Sequence, residues 1–343
     1  MMKNFAYYRP RTKEEAVGLL DSKWGTTELL AGGTDLLDLQ KQYIAQPDKV
    51  ISIKGVGLAG IKVAGDSVQI GAGTKLAEIA EHAELQKLFP AITIAAGDIG
   101  GPQIRNMGTL GGNLCQRNRC WYFRDEPTVC LLKGGDKCFA LDGENRYHAI
   151  FTQGHKCVIV NPSTLAPGLM VLGAKAKVQG PQGEREVELA KFFKAPASAT
   201  DREHTLEPND LVLSVTIPVA EGVKNASYEV RHKQAYDWPL AQAAVAFKLD
   251  GAKASGVKIV LGHVAPTPMI AEAAAQALEG KDVTEETAAA AGKAAAEGAK
   301  PLSQNAYKVK LVEVAVKRAI LTAAGQKKYW ETYKSPWSIV SSP

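Results

Sequence analysis

The chain has 343 residues, 45% of them hydrophobic and 22% charged, with a net charge of +5 spread along its length. That length suits two or three domains better than one core. It has no run of like charges, no basic stripe interleaved with aromatics and no apolar run long enough for a bilayer, which argues against nucleic-acid partners and a membrane span.

Residues 1–10 lack the apolar core of a signal peptide. Residues 13–20 have helical spacing. Glu28–Ala31 predicts a short strand running into Gly32-Gly-Thr-Asp35, then Leu36–Tyr43 a helix and Val50–Ile53 a strand, together a compact β-turn-α-β unit. A second block opens near Gly57, with a strand over Val68–Lys75 that ends in glycines and a helix over Leu76–His82. Beyond a cysteine-rich stretch, Cys157–Pro162 reads as a buried strand and Ala166–Gly173 as a short helix. Ala174–Val178 and Leu211–Val219 read as strands. From about residue 225, three alternating strands (Ala226–Gln234, Leu240–Leu249, Gly256–Val264) precede three Ala-rich helices (Pro268–Leu278, Glu285–Glu297, Tyr307–Ala323), the pattern of a separate α+β domain. The Ala-rich stretch 272–298 reads as a strong helix former packed on a sheet. The tail to Pro343, with Trp330, Tyr333 and Trp337, packs on this chain or on a partner.

Ala31-Gly-Gly-Thr-Asp35 lies between a strand and a helix. Glycines there let backbone N–H groups face an anion without Cβ interference, and the following helix N-terminus favours negative charge. Gly108-Thr-Leu-Gly-Gly-Asn113 offers similar donors plus a hydroxyl and an amide, with Gly71-Ala-Gly-Thr74 between the two. The pair predicts one extended cofactor across two subdomains. Neither the Gly-x-Gly-x-x-Gly fingerprint after a strand nor a P-loop is present. Ser163 and Ser214 lack a nucleophile elbow, the histidines lack catalytic-zinc spacing, and no catalytic residue is expected.

Leu30-Ala-Gly-Gly-Thr-Asp-Leu36, Ile104-Arg-Asn-Met-Gly-Thr-Leu-Gly-Gly-Asn113 and Leu261-Gly-His-Val-Ala-Pro-Thr-Pro268 together resemble the FAD-binding subunit of molybdenum hydroxylases, the family of xanthine dehydrogenases, carbon monoxide dehydrogenases and bacterial aldehyde oxidoreductases. The resemblance implies an α+β chain, with a vanillyl-alcohol-oxidase-type FAD-binding fold in two subdomains (1–56 and 57–222, the latter holding an insertion at about 115–157). A C-terminal α+β flavoprotein domain (223–326) and a tail (327–343) follow. It implies that FAD pyrophosphate lies on Ala31, Gly32, Gly33, Thr34 and Asp35, flanked by Leu30 and Leu36, while Thr109, Gly112 and Asn113 line the flavin. Where the family usually has an Asp near the ribose, this chain has Pro162-Ser163-Thr164, so Ser163 and Thr164 carry over only as uncharged partners. Arg231 and Lys233 fall on the strand that approaches the flavin in the family, or are solvated strand charges.

The five cysteines run Cys115-x4-Cys120-x9-Cys130-x7-Cys138-x18-Cys157. An odd, clustered count opposes a secreted disulfide scaffold and favours metal binding in a reducing compartment, which predicts the cytoplasm, unless the chain is exported to the periplasm already folded with a signal-bearing partner. Structural zinc needs paired knuckles, whereas iron–sulfur clusters tolerate wider loops. The insertion is similar to that of the family subset carrying a 4Fe–4S cluster. Cys120, Cys130 and Cys138 belong to it, and Cys157 is preferred over Cys115 as the fourth ligand because Cys115 follows directly on the flavin-side turn. Trp121–Phe123 would shield a cluster, or form ordinary loop core.

The resemblance further implies a large molybdopterin-binding partner and a small 2Fe–2S partner, with electrons passing from molybdenum through 2Fe–2S to FAD here and then to an external acceptor. Alternatives are a stand-alone FAD reductase of the same fold and a non-catalytic zinc-stabilised assembly module.

Overall fold

The computed structural model describes residues 2–233 and 236–326. Gln234, at the end of one expected strand, and the tail aromatics lie outside them. Three sheets organise the chain. The first is β1 (Ala6–Tyr8), β2 (Thr27–Leu30) and β3 (Lys49–Ser52), in the order β1-β3-β2 and parallel throughout. The expected β-turn-α-β unit is its β2–β3 half, with the helix Leu36–Lys41 between the strands. The second sheet is antiparallel and ordered β4-β5-β8-β6-β7, from β4 (Ile61–Ala64), β5 (Ser67–Gly71), β6 (Lys175–Gly180), β7 (Gly183–Glu188) and β8 (Leu211–Pro218). The third, ordered β12-β11-β10-β9, uses β9 (Val223–Val230), β10 (Ala241–Asp250), β11 (Lys253–Gly262) and β12 (Met269–Ile270).

Strand β10 is buried on both faces, and its period of two sorts the side chains. Ala243, Val245 and Phe247 pack with the helices Glu272–Leu278, Glu285–Ala295 and Tyr307–Ala323, while Ala244 and Ala246 pack with Ile92 and Leu165 from the other side. The alanine-rich stretch is thus a helical layer on a sheet, as its composition indicates. Pro90–Asp98, which carries no obvious amphipathic pattern, is a helix buried against that opposite face, with Pro90 at its first turn where the missing N–H costs nothing.

Cys157–Pro162 does not form the expected strand. It is a buried extended coil whose main chain bonds to Ala149 and Ala265 instead of entering a ladder, and Pro162 has no N–H to contribute. The cysteine-rich stretch holds only two short helical turns, Trp121–Arg124 and Leu131–Lys133. Long-range hydrogen bonds pin it: Asn305 Nδ2 donates to the carbonyls of Asn145, His148 and Ala149, and Lys308 Nζ to those of His148 and His263. Among the described residues no helix is long and apolar enough to cross a membrane.

Candidate functional site

The three glycine turns meet. Leu76 N–H donates to Gly108 O, Leu110 N–H to Thr74 O and Gly111 N–H to Ala72 O, which zips 108–111 onto 72–76. The first turn packs on the other side of this pair. A Cβ on Gly32 would stand 1.9 Å from Met107 O, so only glycine allows the two backbones to touch, and Gly33 takes a left-handed φ of 78°.

Two adjoining clefts open around the turns. The larger, ≈ 590 Å³, is lined by Ala31, Gly32, Gly33, Thr34, Asp35, Leu36, Thr109 and Gly112. The smaller, ≈ 260 Å³, shares Thr34, Asp35, Thr109 and Gly112 and adds Asn113 and Thr164. Leu30, Ser163 and Lys233 line neither. Leu30 closes strand β2. Ser163 is buried, donating to Asn113 Oδ1 (2.7 Å) and accepting from Ala166 N–H, so it orients Asn113 from behind. Lys233 is exposed, with its N–H on Asp237. Arg231 lies past the end of β9 and grips Asp98 through two bonds of 2.7 and 2.9 Å. Thr109 caps the next helix by accepting from Gly112 N–H, and the Thr164 hydroxyl contacts His263 Nε2 at 3.2 Å.

Asp35 does not present its carboxylate to the cleft as a free charge. It accepts from Arg117 N–H (2.8 Å) and Arg124 Nη2 (2.6 Å) and pairs with Arg119 Nη2 (3.0 Å), tying the first turn to the cysteine-rich stretch. What this turn offers an anion is therefore its backbone. Sequence reasoning missed the cleft's other walls: Asp98–Gly101, Gln116, Arg119 and Tyr236–Pro239 at the smaller, and Trp24, Arg117, Arg202 and His204 at the larger. The Gly100-Gly101-Pro102 turn was a legible signal. The Tyr236 ring packs directly on Gly101, 1.9 Å from where a Cβ would stand, so any larger residue there displaces this ring.

Buried charges surround the larger cleft. Burial would raise the Glu203 carboxyl, but Arg117 and the two N–H donors of Asn118 hold it below its ordinary value. The Arg117 guanidinium faces Glu203 at 2.8 Å in charge contact, and its Nη2 has no hydrogen-bond partner. Arg202 stacks 4.5 Å over Trp24. Burial also pushes His204 down to about 4. Its unfolded counterpart titrates near 6.5, so between these values the unfolded chain binds the extra proton and stability falls as pH drops. His204→Gln is expected to flatten the dependence by about 1.4 kcal/mol per pH unit in that window, measured by urea unfolding at pH 6.5 and 5.

Cys120, Cys130, Cys138 and Cys157 line one small cavity of ≈ 10 Å³, closed by Tyr122, Phe123, Leu132, Phe139 and Ile159. Cys115 lines the larger cleft instead, and burial raises its thiol to about 12. A hydrogen bond from Cys157, helped by backbone N–H groups of Val158, Ala140 and Leu141, holds Cys138 down to about 6; the same bond and burial push Cys157 up. Cys120 is raised to about 12 by burial, against backbone donors from Phe123 and Tyr122. Among the described residues no group of three His, Cys, Asp or Glu converges on a single metal ion.

Residues 3–220 match the family described as the FAD binding domain in molybdopterin dehydrogenase, and residues 226–323 the CO dehydrogenase flavoprotein C-terminal domain. The chain is 32% identical to the aldehyde oxidoreductase FAD-binding subunit PaoB of Escherichia coli (strain K12), over 95% of this chain and 100% of that one. It is 30% identical to the carbon monoxide dehydrogenase medium chain of Hydrogenophaga pseudoflava, over 93% and 96%. A solved structure of carbon monoxide dehydrogenase from Hydrogenophaga pseudoflava, lacking the Mo-pyranopterin moiety of its cofactor, matches with a TM-score of 0.74 at 29% identity, covering 95% and 99%. Glycine turns that build a two-part cleft, matched along nearly the whole chain, lead to one assignment: it belongs to the FAD-binding medium subunits of the molybdenum hydroxylases, an oxidoreductase flavoprotein family.

Proposed function

We propose that this chain carries FAD and a 4Fe–4S cluster as the electron-transfer subunit of a heteromeric molybdenum hydroxylase of the aldehyde oxidoreductase class, beside a large molybdopterin-binding and a small 2Fe–2S subunit. The observation that carries it is one cavity walled by four thiols directly against the two-part cleft: Phe123 and Leu132 line both the cavity and the larger cleft, and a single step of chain separates the cavity from the smaller one. Residue 119 lines the cleft and residue 120 the cavity. The bound flavin would take up an electron pair and release it to an external acceptor, while the cluster handles single electrons.

The residues suit both groups. For FAD, Ala31–Asp35 and Arg117 line the larger cleft, and Thr164 supplies an uncharged oxygen to the smaller. For the cluster, the donor set supports the reading: four thiols, backbone N–H groups on the sulfurs and an apolar shell. The present gap is smaller than a cluster; the stretch carrying Cys130 and Cys138 is largely coil, so those two thiols can draw back without breaking a ladder while Cys120 keeps its place. Free thiols suit the cytoplasm, or export after cofactor loading.

Ultraviolet–visible and EPR spectra with iron and acid-labile sulfide assays test this. One flavin with about four irons and four sulfides per chain is the expected result. Flavin without iron removes the cluster, and neither group in folded protein removes the whole reading. Arg117→Lys, which keeps a charge facing Glu203 but loses the planar fork, is expected to weaken FAD binding about tenfold in a fluorescence titration.

A further inference from the structure

His148 Nε2 lies 3.2 Å from Cys120 Sγ. His148 is 4% exposed and Cys120 is partly buried, and both line a pocket of ≈ 210 Å³. Both its backbone and its ring are held. Its N–H donates to Asn145 O, and its carbonyl accepts from Asn305 Nδ2 (3.2 Å) and Lys308 Nζ (3.1 Å). The imidazole sits edge-on to Trp121, with centroids 5.8 Å apart, and tilted against Tyr122 at 6.3 Å. Nδ1 is buried, and the ring also hydrogen-bonds the Asn145 carbonyl.

A cluster-bound Cys120 is a thiolate with no proton to give, so the ring nitrogen 3.2 Å from it hydrogen-bonds only as a donor, which places a proton on Nε2. The backbone N–H groups on the thiols belong to the chain and cannot be removed by substitution; this side-chain donor can. We infer that His148 is a positioning residue for the cluster ligand Cys120, donating an N–H···S hydrogen bond that raises the potential at which the cluster accepts an electron. The inference rests on the 4Fe–4S reading above. One-electron reduction increases the negative charge on the thiolate sulfurs, so a donor fixed on one of them stabilises the reduced form more than the oxidised form. No bond forms or breaks, and the proton stays on Nε2.

The test is an EPR-monitored redox titration of the full-length, cofactor-loaded protein, after flavin, iron and sulfide have been counted. His148→Phe keeps a ring without the donor. It is expected to retain about four irons and to show a reduced-to-oxidised ratio about tenfold lower at fixed poise, a downward shift of about 59 mV for one electron. His148→Gln, with an amide donor, is expected to restore most of the shift. An unchanged midpoint in His148→Phe with its iron intact overturns the inference alone. If His148→Phe loses its cluster, wild-type protein labelled with ¹⁵N-histidine decides: pulsed EPR should show coupling of the reduced cluster to a ring nitrogen, and its absence overturns the inference. Wild-type protein with flavin but no iron overturns the cluster reading, and this inference with it.

Discussion

Gly32→Ala is expected to yield protein that retains no FAD through gel filtration, with affinity lowered at least a hundredfold. The added Cβ meets Met107 O at 1.9 Å and Met107 C at 2.6 Å, both backbone atoms that cannot rotate away. Relief requires the first turn and the 104–108 turn to part, and these two turns are neighbouring walls of the cleft. Overpacking of this kind costs about 1–3 kcal/mol in stability, and the displaced backbone donors lose their aim as well. Gly65→Ala is the control: nothing lies within 4 Å of its would-be Cβ. A Gly32→Ala protein with stoichiometric flavin and an unshifted melting temperature would show that the turn contact does not shape the site.

Cys157→Ser and Cys115→Ala should part cleanly in iron content. Cys157→Ser removes a thiol that lines the four-cysteine cavity and bonds Cys138, so near-complete loss of iron is expected with FAD kept. Cys115→Ala removes a partly buried sulfur at the flavin-side cleft, and iron should stay at the wild-type level, with at most a modest loss of stability from the small void. The reverse outcome, with iron lost in Cys115→Ala and kept in Cys157→Ser, would reassign the fourth ligand.

Local signals were legible wherever the physics is local. The glycine turns, the β2-helix-β3 unit and the helix Tyr307–Ala323 follow from spacing and composition, and the last matches the expected bounds. The adjacency of the Cys120–Cys157 group to the cleft also followed from chain order. The cleft walls did not. Arg117, Arg119 and Arg124 meet Asp35 across more than eighty residues, and Tyr236 reaches Gly101 across more than 130. No period or motif marks such pairs. Cys157–Val160 has the β-branched, apolar look of a strand, yet Val158 accepts from Ala149 and Asn161 donates to Ala265, neither of them in a strand, so tertiary context overrides propensity. His148 looked unpaired in sequence because its partner is a sulfur 28 residues away.

The Asp35 carboxylate, held at once by Arg117, Arg119 and Arg124, has a consequence for how the protein matures. One side chain fixes the first glycine turn and the stretch that brings Cys120 to its place. Ordering either one orders the other, and linkage requires this help to be mutual. Under the proposed function, chains that have received one of the two groups should accept the other more readily, and half-loaded protein should be scarce in the cell compared with chains carrying both or neither.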